Sequence, residues 1–548
     1  MTTATNPCDS LSIRRYYLLL LAIIGLGMIA RIYHGHWAVG GGDNQRWIIA
    51  AREVGNPLGT VPPVYYMRGV SSLVLYWWGA LFGLRLESTA VLMFLLAAAT
   101  IFLVAQSGRF VFGSWTGLFA AAFYALHPVN VVQDTTTGPD GLANAVLAAY
   151  LLLFICYLHR QRLIYLALSA LLVGVCIQIK VYYILGALPL GACLLVDLRR
   201  SGRRWFVPTA VFAGALLIGV SVDAVLAYWQ FGEPLGRLGG SDYAQRLAIR
   251  DGPPRHEGFE HVARATMERF RYINWLLFSY GFGPSMLTAW GIAWLLAKGR
   301  RVEHLAFGAL MATWLAFLMF TPVAFRPLRY VEMQPRYLMI LMPMLAVCSG
   351  AALAALLASL PERRLRVAFA AVVAVGFAGA MAVPNDYANP AFRRGRAQEF
   401  VGIRHVLTRA PADGVSELIF DHTYLEIIPD GYHEYGVTLT FVETETAEDA
   451  AAVHRQLRED ARRALFVPRE RWYWPLRHAL RRGEYSARHE IPEQYRTLVD
   501  ELEANGCRAQ PVRVPDTISK KWLAAFGLIP HEQQLIGWVY RCAQPQGP

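Results

Sequence analysis

The chain has 548 residues, of which 55% are hydrophobic and only 17% are charged, with a formal net charge of +12. Soluble domains have about a quarter of their residues charged, so the composition excludes a wholly soluble protein and indicates a polytopic membrane protein with a soluble part attached. In such a protein a positive excess is expected first in cytoplasmic loops. The chain contains no RNA- or DNA-binding motif that would favour a nucleic-acid partner.

Twelve apolar runs approach the roughly 20 residues that a membrane span needs. They cover residues 16–33, 70–84, 88–106, 114–128, 141–158, 163–180, 181–197, 207–229, 273–297, 304–324, 337–358 and 367–384. The loops between them test this layout, because short cytoplasmic loops carry an excess of Lys and Arg. If 70–84 crosses the membrane, the loop with Arg109 and the four arginines at 199–204 lie outside. If it does not cross, every short basic loop lies inside.

We therefore interpret 70–84 as a re-entrant or interfacial helix, which begins beside Arg68 and contains the interface aromatics Tyr76, Trp77 and Trp78. The predicted fold is a polytopic α-helical membrane protein with about eleven spans, a cytoplasmic N-terminus and an outer C-terminus. In this layout the segments on the outer side are 34–87, 129–140, 230–272, 325–336 and 385–548.

The composition changes after residue 384, which divides the chain into a membrane domain, 1–384, and an outer, extracytoplasmic domain, 385–548. Short apolar runs (SELIFD, VTLTFV, RALFV) alternate there with amphipathic stretches such as 447–463, which predicts an α/β domain. Cys507 and Cys542 are the only cysteines of this domain. An oxidising compartment favours a disulfide between them; the alternative is two free thiols too far apart to join.

The first predicted outer loop begins with GGGDNQRW, residues 40–47. Asp43 is either a helix N-cap or a functional carboxylate, and Arg46 follows close enough to share its helix face. The loop continues with PLGTVPPVYYMRG, in which Tyr65, Tyr66 and Arg68 suit a lipid phosphate headgroup. The alternative for these three residues is an aromatic belt with a snorkelling arginine.

Two further charged residues lie at predicted span ends. Asp140 follows Gly138 and Pro139 where a span begins, and it is either an N-cap or a functional carboxylate; Asp134 lies in the same loop. Lys180 ends the span LIYLALSALLVGVCIQIK and is followed by VYY. An ionisable residue at a membrane edge is a functional candidate, and the alternative is snorkelling to the headgroups.

Basic residues on the outer side are the strongest departure from the expected charge pattern. The stretch RPLRYVEMQPRYLMILMPML, residues 326–345, places Arg326, Arg329 and Arg336 outside, against the positive-inside trend. Cations kept at the outer rim of a helix bundle need an anionic partner. Either headgroup phosphates or a lipid-linked substrate would supply one.

Taken in order, these motifs resemble the membrane glycosyltransferases of the GT-C superfamily, especially the group with protein O-mannosyltransferases and the aminoarabinose transferase of lipid A. The matching stretches, within residues 10–360, are DNQRW, PPVYY, PDG at the start of a later span, IK after a glycine-containing span, and PRYLMILMPML. The resemblance implies a polyprenyl-phosphate sugar as donor and a hydroxyl of a lipid, glycan or protein as acceptor, with transfer at the outer face of the plasma membrane.

The resemblance also implies roles for individual residues. Asp43 and Asp140 would be the catalytic carboxylates, with Asp43 as the general base that takes the proton of the acceptor hydroxyl. The residues implied to hold the donor phosphate are Arg46, Arg68, Lys180 and Arg336, and those implied to contact substrate are Tyr65, Tyr66 and Tyr337. Asn44 stands where many members have a second acid, and an acid pair often marks a metal site. No cofactor is therefore firmly implied, and a divalent metal stays open.

Two other classes of function compete with this interpretation. A transporter or flippase of a lipid-linked or anionic substrate would use the outer cations as a gate. Against it, the sequence shows no inverted repeat and no acid, Lys or Arg deep within a span. A structural or assembly subunit would bind a partner through its outer domain, and would keep its function when Asp43 is replaced by alanine.

Overall fold

A computed structural model of the chain describes residues 11–34, 47–48, 50–51, 54, 69–84, 86–136, 138–231, 301–320, 322–325, 328–330, 339–362, 364–369, 371–373, 406–407, 409–421, 436–442, 447–468, 493–514 and 534–542. These residues divide into two compact units. One unit holds nearly all of the described helices before residue 374. The other holds a C-terminal sheet with its helices.

Helices make up almost all of the first unit. They are α1 (Ile13–His34), α2 (Gly69–Phe82), α3 (Leu86–Phe112), α4 (Ser114–Leu126), α5 (Pro128–Gln133), α6 (Pro139–Arg160), α7 (Leu163–Val175), α8 (Ala187–Ser201), α9 (Phe206–Phe231), α10 (Val302–Phe320) and α11 (Met342–Ser359). Two 3-10 segments, Cys176–Gln178 and Val181–Gly186, connect α7 to α8. A two-stranded antiparallel hairpin, β1 (Pro322–Phe325) with β2 (Leu328–Tyr330), follows α10.

Six helical segments in the described residues are long and apolar enough to cross a membrane. They are Ile13–Ile32, Ser88–Phe112, Pro139–Arg160, Tyr182–Ser201, Phe206–Trp229 and Met339–Ser359. Four shorter apolar helices accompany them, and one of these, Gly69–Phe82, is the run that we interpreted as re-entrant or interfacial. The predicted polytopic helical membrane protein is confirmed. The number of eleven spans stays a prediction, because residues 232–300 lie outside the described part.

Glycines let these helices approach each other closely. A Cβ atom on Gly174 of α7 would lie 2.5 Å from the Leu216 carbonyl oxygen and 2.8 Å from the Gly219 Cα of α9. A Cβ atom on Gly350 of α11 would lie 2.6 Å from both the Thr116 oxygen and the Ala120 nitrogen of α4. Small residues at such crossings are typical of membrane helices, whose association depends on close van der Waals packing.

The C-terminal unit is a five-stranded mixed sheet between two apolar layers. Its elements are β3 (Glu417–Asp421), β4 (Thr438–Val442), α12 (Ala447–Glu459), β5 (Arg463–Pro468), α13 (Glu493–Ala504), β6 (Arg508–Val514) and β7 (Gln534–Arg541). The strand order is β4-β3-β5-β7-β6, parallel among β4, β3 and β5 and antiparallel from β5 through β7 to β6. The predicted C-terminal α/β fold is confirmed, whereas the domain bounds 1–384 and 385–548 stay predictions.

Alternate side chains of the central strands cover the two faces of this sheet. Leu418 and Phe420 pack on one face, and Ile419 packs on the other against Val453 and Leu457 of α12. A disulfide bond joins Cys507 and Cys542, as the sequence predicted, on the face of the sheet that α12 covers. The bond ties the start of β6 to the end of β7.

Candidate functional site

A buried ion pair joins Asp140 and Lys180 in the helical unit. The Lys180 Nζ contacts the Asp140 Oδ1, and the two side chains are only 4% and 10% exposed, respectively. Asp140 lies in the first turn of α6, directly after Pro139 at the first position of the helix. A carboxylate there faces the positive end of the helix dipole as well as the Lys180 ammonium group.

Lys180 lies where the chain between two membrane helices is not α-helical. Its backbone is extended (φ −149°, ψ 117°) between the two 3-10 segments, and its amide donates to the Cys176 carbonyl oxygen at 2.8 Å. The sequence predicted one continuous span over 163–180, which is wrong in this detail because α7 ends at Val175. Irregular backbone within a membrane protein is tolerated where protein buries it or where it lines a cavity, and Lys180 is buried here.

One aromatic side chain lies beside the lysine. Its Nζ lies 5.5 Å from the centroid of the Tyr182 ring, a distance at which a cation is attracted to the ring face. Tyr182 in turn stacks on Phe317 of α10 with 4.7 Å between centroids. These contacts hold the ammonium group between a carboxylate and an aromatic ring.

A second buried ion pair joins Arg31 of α1 to Asp134, which follows α5. The Arg31 Nη2 lies 2.6 Å from the Asp134 Oδ2, and the side chains are 0% and 2% exposed. The Arg31 Nη1 also donates to the Ala125 carbonyl oxygen at 2.7 Å and to the Gly27 oxygen at 3.1 Å. Burial raises the pKa of the Asp134 carboxyl, and the Arg31 guanidinium acts in the opposite direction.

Hydrogen bonds connect this second pair toward the first. The Tyr124 hydroxyl donates to the Asp134 Oδ1 at 3.2 Å, and the Asn144 Nδ2 lies 3.4 Å from the Tyr124 hydroxyl oxygen. The Tyr183 hydroxyl then donates to the Asn144 Oδ1 at 3.1 Å. Because Asn144 lies one turn after Asp140 and Tyr183 lies three residues after Lys180, the network links α1, α4 and α6 to the lysine segment.

The structure thus brings together two of the predicted site residues, Asp140 and Lys180. The structure does not support an N-cap role for Asp140, because the N-cap of α6 is Gly138. It does not support snorkelling of Lys180 either, because this side chain is buried against Asp140. The other predicted site residues, Asp43, Arg46, Tyr65, Tyr66, Arg68, Arg336 and Tyr337, lie outside the described residues.

Sequence reasoning missed four members of the network, namely Arg31, Tyr124, Asn144 and Tyr183. Arg31 gave a signal that could have been used: it lies at the predicted outer end of the first span, where a cation departs from the positive-inside trend. The statement that no acid lies deep within a span was also wrong. Asp223 lies within the candidate span Phe206–Trp229 and accepts a hydrogen bond from the Gln178 Nε2.

The two units differ in their candidate metal ligands. Among the described residues, the one group of His, Cys, Asp and Glu side chains with the spacing of metal ligands is His454, Cys507 and Cys542, in the C-terminal unit. In the described part of the helical unit, the buried carboxylates Asp134 and Asp140 each have a cationic side chain as a partner. A divalent metal beside Asp43 stays an open prediction.

Comparison with known proteins gives one family match. The family model described as dolichyl-phosphate-mannose-protein mannosyltransferase matches residues 70–229. No curated protein sequence matches the chain. The matched segment contains Asp140 and Lys180 together with Tyr124, Asn144 and Tyr183. It confirms the resemblance to polytopic membrane glycosyltransferases that the sequence motifs indicated.

Solved structures also resemble the chain at low identity. ArnT from Cupriavidus metallidurans bound to undecaprenyl phosphate is 14% identical, with 98% of this chain and 100% of that chain covered and a TM-score of 0.48. The oligosaccharyltransferase of Archaeoglobus fulgidus in the apo form is also 14% identical, with 78% of this chain covered and a TM-score of 0.45. The match spans 60% of the length of that archaeal protein.

Proposed function

We propose that the chain is a membrane glycosyltransferase that moves a sugar from a polyprenyl-phosphate donor to a hydroxyl group of a lipid, glycan or protein acceptor. The observation that carries the proposal is the buried Asp140–Lys180 pair, which lies inside the segment matched by the mannosyltransferase family model. A buried charge pair in a membrane bundle is energetically expensive and is usually kept for a function.

The reaction needs a base, a phosphate site and an exclusion of water. In the proposal, the acceptor oxygen attacks the anomeric carbon while Asp43 takes the hydroxyl proton as general base. The bond between the anomeric carbon and the phosphate oxygen breaks, and its electron pair leaves with the polyprenyl phosphate. Positive side chains that face this oxygen stabilise the charge that develops on it.

Lys180 is the described candidate for that stabilisation. Asp140 holds its ammonium group in place through the buried contact between the Lys180 Nζ and the Asp140 Oδ1. A donor phosphate would share or replace this carboxylate as the partner of Lys180. Arg46, Arg68 and Arg336 complete the proposed phosphate site, and Tyr65, Tyr66 and Tyr337 are proposed to contact the substrate.

The Arg31–Asp134 pair has a positioning role in this proposal. Arg31 lies in the last turn of α1, and His34 ends that helix, nine residues before Asp43. Asp134 lies six residues before Asp140. The ion pair therefore ties the point where the chain leaves α1 for the loop of the proposed base to the loop that leads into the second carboxylate.

The compartment follows from the same proposal. Nucleotide sugars are cytoplasmic, so an enzyme that works at the outer face of the plasma membrane takes its sugar from a lipid carrier. We propose that the N-terminus is cytoplasmic and that the C-terminal unit lies outside. The charge pattern of the loops supports this orientation.

The test is a transfer assay with the purified full-length protein in detergent or nanodiscs. Radiolabelled polyprenyl-phosphate hexoses and pentoses are supplied with membrane extracts as acceptors, and lipid extraction separates remaining donor from product. We expect label to leave the polyprenyl phosphate with the wild type and not with Asp43→Asn. The matched control is Glu303→Gln, a carboxylate change at the predicted cytoplasmic end of α10. Movement of intact donor across proteoliposomes without loss of its sugar would contradict the proposal and favour a flippase.

A further inference from the structure

Three side chains that can bind a metal meet in the C-terminal unit. One ring nitrogen of His454 and the sulfur atoms of Cys507 and Cys542 all lie within 4.8 Å of one another. The three residues are 6–8% exposed. They come from three elements that are distant in sequence: His454 from the middle of α12, Cys507 from just before β6, and Cys542 from just after β7.

The sheet register explains why the two cysteines face each other. β6 and β7 are antiparallel, with Arg508 opposite Arg541, so Cys507 and Cys542 are the next opposing positions at the end of the ladder. Both lie outside the strand bounds. Helix α12 packs over this end of the sheet through Val453 and Leu457, which places the His454 ring beside the two sulfur atoms.

One ring nitrogen of His454, the Nε2, is buried and has no hydrogen-bond partner in the part of the chain that the structure describes. A buried polar atom without a partner costs about 1–3 kcal/mol. A buried imidazole nitrogen without a hydrogen bond, next to two cysteines, indicates that a metal ion binds here when the disulfide is reduced.

We propose that the dithiol form of this site binds Zn²⁺ through His454, Cys507 and Cys542. The two cysteines would then be linked either by a disulfide bond or by a shared zinc ion. Imidazole and thiolate are the ligands that Zn²⁺ prefers, and three protein ligands leave a fourth position for water. A dithiol reductant first supplies two electrons and two protons to the disulfide. Zn²⁺ then displaces the two thiol protons as it binds the sulfur atoms.

The change of geometry between the two forms is small. Two sulfur atoms bound to one tetrahedral zinc ion at about 2.3 Å lie about 3.8 Å apart, which exceeds a disulfide bond by about 1.7 Å. Rotation of the cysteine side chains can supply this difference. Because both residues lie beyond the strand ends, the hydrogen bonds between β6 and β7 need not break.

The experiment measures zinc on the purified full-length protein, in its oxidised form and after reduction with a phosphine that is then removed without air. We expect one more zinc ion per chain in the reduced form, by mass spectrometry of the metal after exhaustive removal of free ions. Cys507→Ser with Cys542→Ser should lose that ion. His454→Gln should weaken its binding at least about tenfold in a competition titration with a chromophoric chelator, since the loss of an outer-shell partner alone typically costs that much. His304→Gln, a matched change of a histidine in the helical unit, should leave zinc binding unchanged.

Cobalt provides a second measurement on the unaltered protein. Reduced wild type with Co²⁺ should show the sulfur-to-metal charge-transfer band and the strong visible bands of a four-coordinate thiolate site, both absent from the double serine variant. The proposal fails if reduced and oxidised wild type hold equal zinc, or if a His454→Gln protein with wild-type melting temperature in the oxidised form binds zinc as tightly as wild type. Failure of transfer activity has no bearing on these readouts.

Discussion

Arg31 and Asp134 lie 103 residues apart in the sequence and form an ion pair of 2.6 Å. Both side chains are buried, with 0% and 2% of their surface exposed, respectively. Three further bonds, to the Gly27 and Ala125 oxygens and from the Tyr124 hydroxyl, surround the pair. A pair so completely enclosed connects the first membrane helix to the α5–α6 loop.

Breaking this pair on one side should destabilise the protein. We expect Arg31→Met or Asp134→Asn to lower the free energy of unfolding by about 3–5 kcal/mol, because a buried charge is left without its partner. The double variant should lose less than the sum of the two single changes. Thermal unfolding in detergent measures this, with Arg109→Met, whose side chain contacts the exposed Tyr17 hydroxyl, as control. Strict additivity of the two single changes would contradict the coupling.

Lys180 and Asp140 should affect the sugar donor more than the acceptor. We expect Lys180→Ala to raise the apparent KM for the polyprenyl-phosphate sugar, since a charge-assisted contact with a phosphate oxygen is about twice as strong as a neutral one. Asp140→Asn should raise the KM for the donor less, because the lysine remains and only the group that positions it is lost. Steady-state kinetics with each substrate varied in turn gives the answer, with Arg160→Ala at the predicted cytoplasmic end as control. An effect confined to the acceptor KM would rule out the assignment.

Asp43 should determine turnover rather than binding. Asp43→Asn is expected to lower kcat by about 10²–10⁴, the usual contribution of a positioned general base, while the donor affinity stays within a few-fold. Asn44→Ala, next to it in sequence, is the matched control for the loop. Single-turnover measurements on protein with a wild-type melting temperature separate the two effects. Near-normal turnover of the Asn variant would remove Asp43 from the proposed mechanism.

The membrane orientation can be tested by labelling single cysteines. In a background with Cys8 and Cys156 replaced by serine, a membrane-impermeant maleimide added to intact cells should react with Ala412→Cys and not with Ser201→Cys. Permeabilised cells should show both. The reason is the charge pattern, which places the arginines of 199–204 in the cytoplasm. Labelling of position 201 from outside would mean that Gly69–Phe82 crosses the membrane and that the layout is wrong.

The disulfide should stabilise the C-terminal unit. Its two cysteines are 35 residues apart, and a loop of that size is worth about 3–4 kcal/mol on a chain-entropy argument. We expect mass spectrometry of a non-reduced digest to find the peptides of Cys507 and Cys542 joined. Limited proteolysis should cut the unit faster after reduction in the absence of zinc. Alkylatable thiols at both positions in protein taken from the membrane would contradict the expectation.

Four local elements of the C-terminal unit could be predicted from the sequence, whereas their arrangement could not. The runs at 416–421, 437–442 and 463–467 coincide with β3, β4 and β5, because apolar alternation is a local signal. The predicted amphipathic stretch 447–463 is α12 only to Glu459, and its last residue begins β5. The order β4-β3-β5-β7-β6 depends on contacts between distant segments, which periodicity does not encode.

The same distinction applies to the candidate site. Asp140 and Lys180 were identified singly, because a charge at a span end stands out in an apolar sequence. Their pairing depends on the break in the helix before Lys180. The run 163–180 has the length of a single span, although Gly174 lies directly before Val175, where α7 ends. Asn144 and Tyr183 were missed since a polar side chain on a membrane helix shows its role only when its neighbour is known.

Helices α7 and α9 approach each other closely because Gly174 and Gly219 have no side chains. The position of the Lys180 ammonium group therefore depends on these two glycines. Helix α7 ends five residues before Lys180, so any shift of its axis moves the ammonium group relative to Asp140. A methyl group at either glycine would strike backbone atoms of the facing helix, which have no rotamer to give way. Damage to the proposed phosphate site can therefore arise from an apolar substitution at the helix crossing, in a protein whose ionisable residues are all intact.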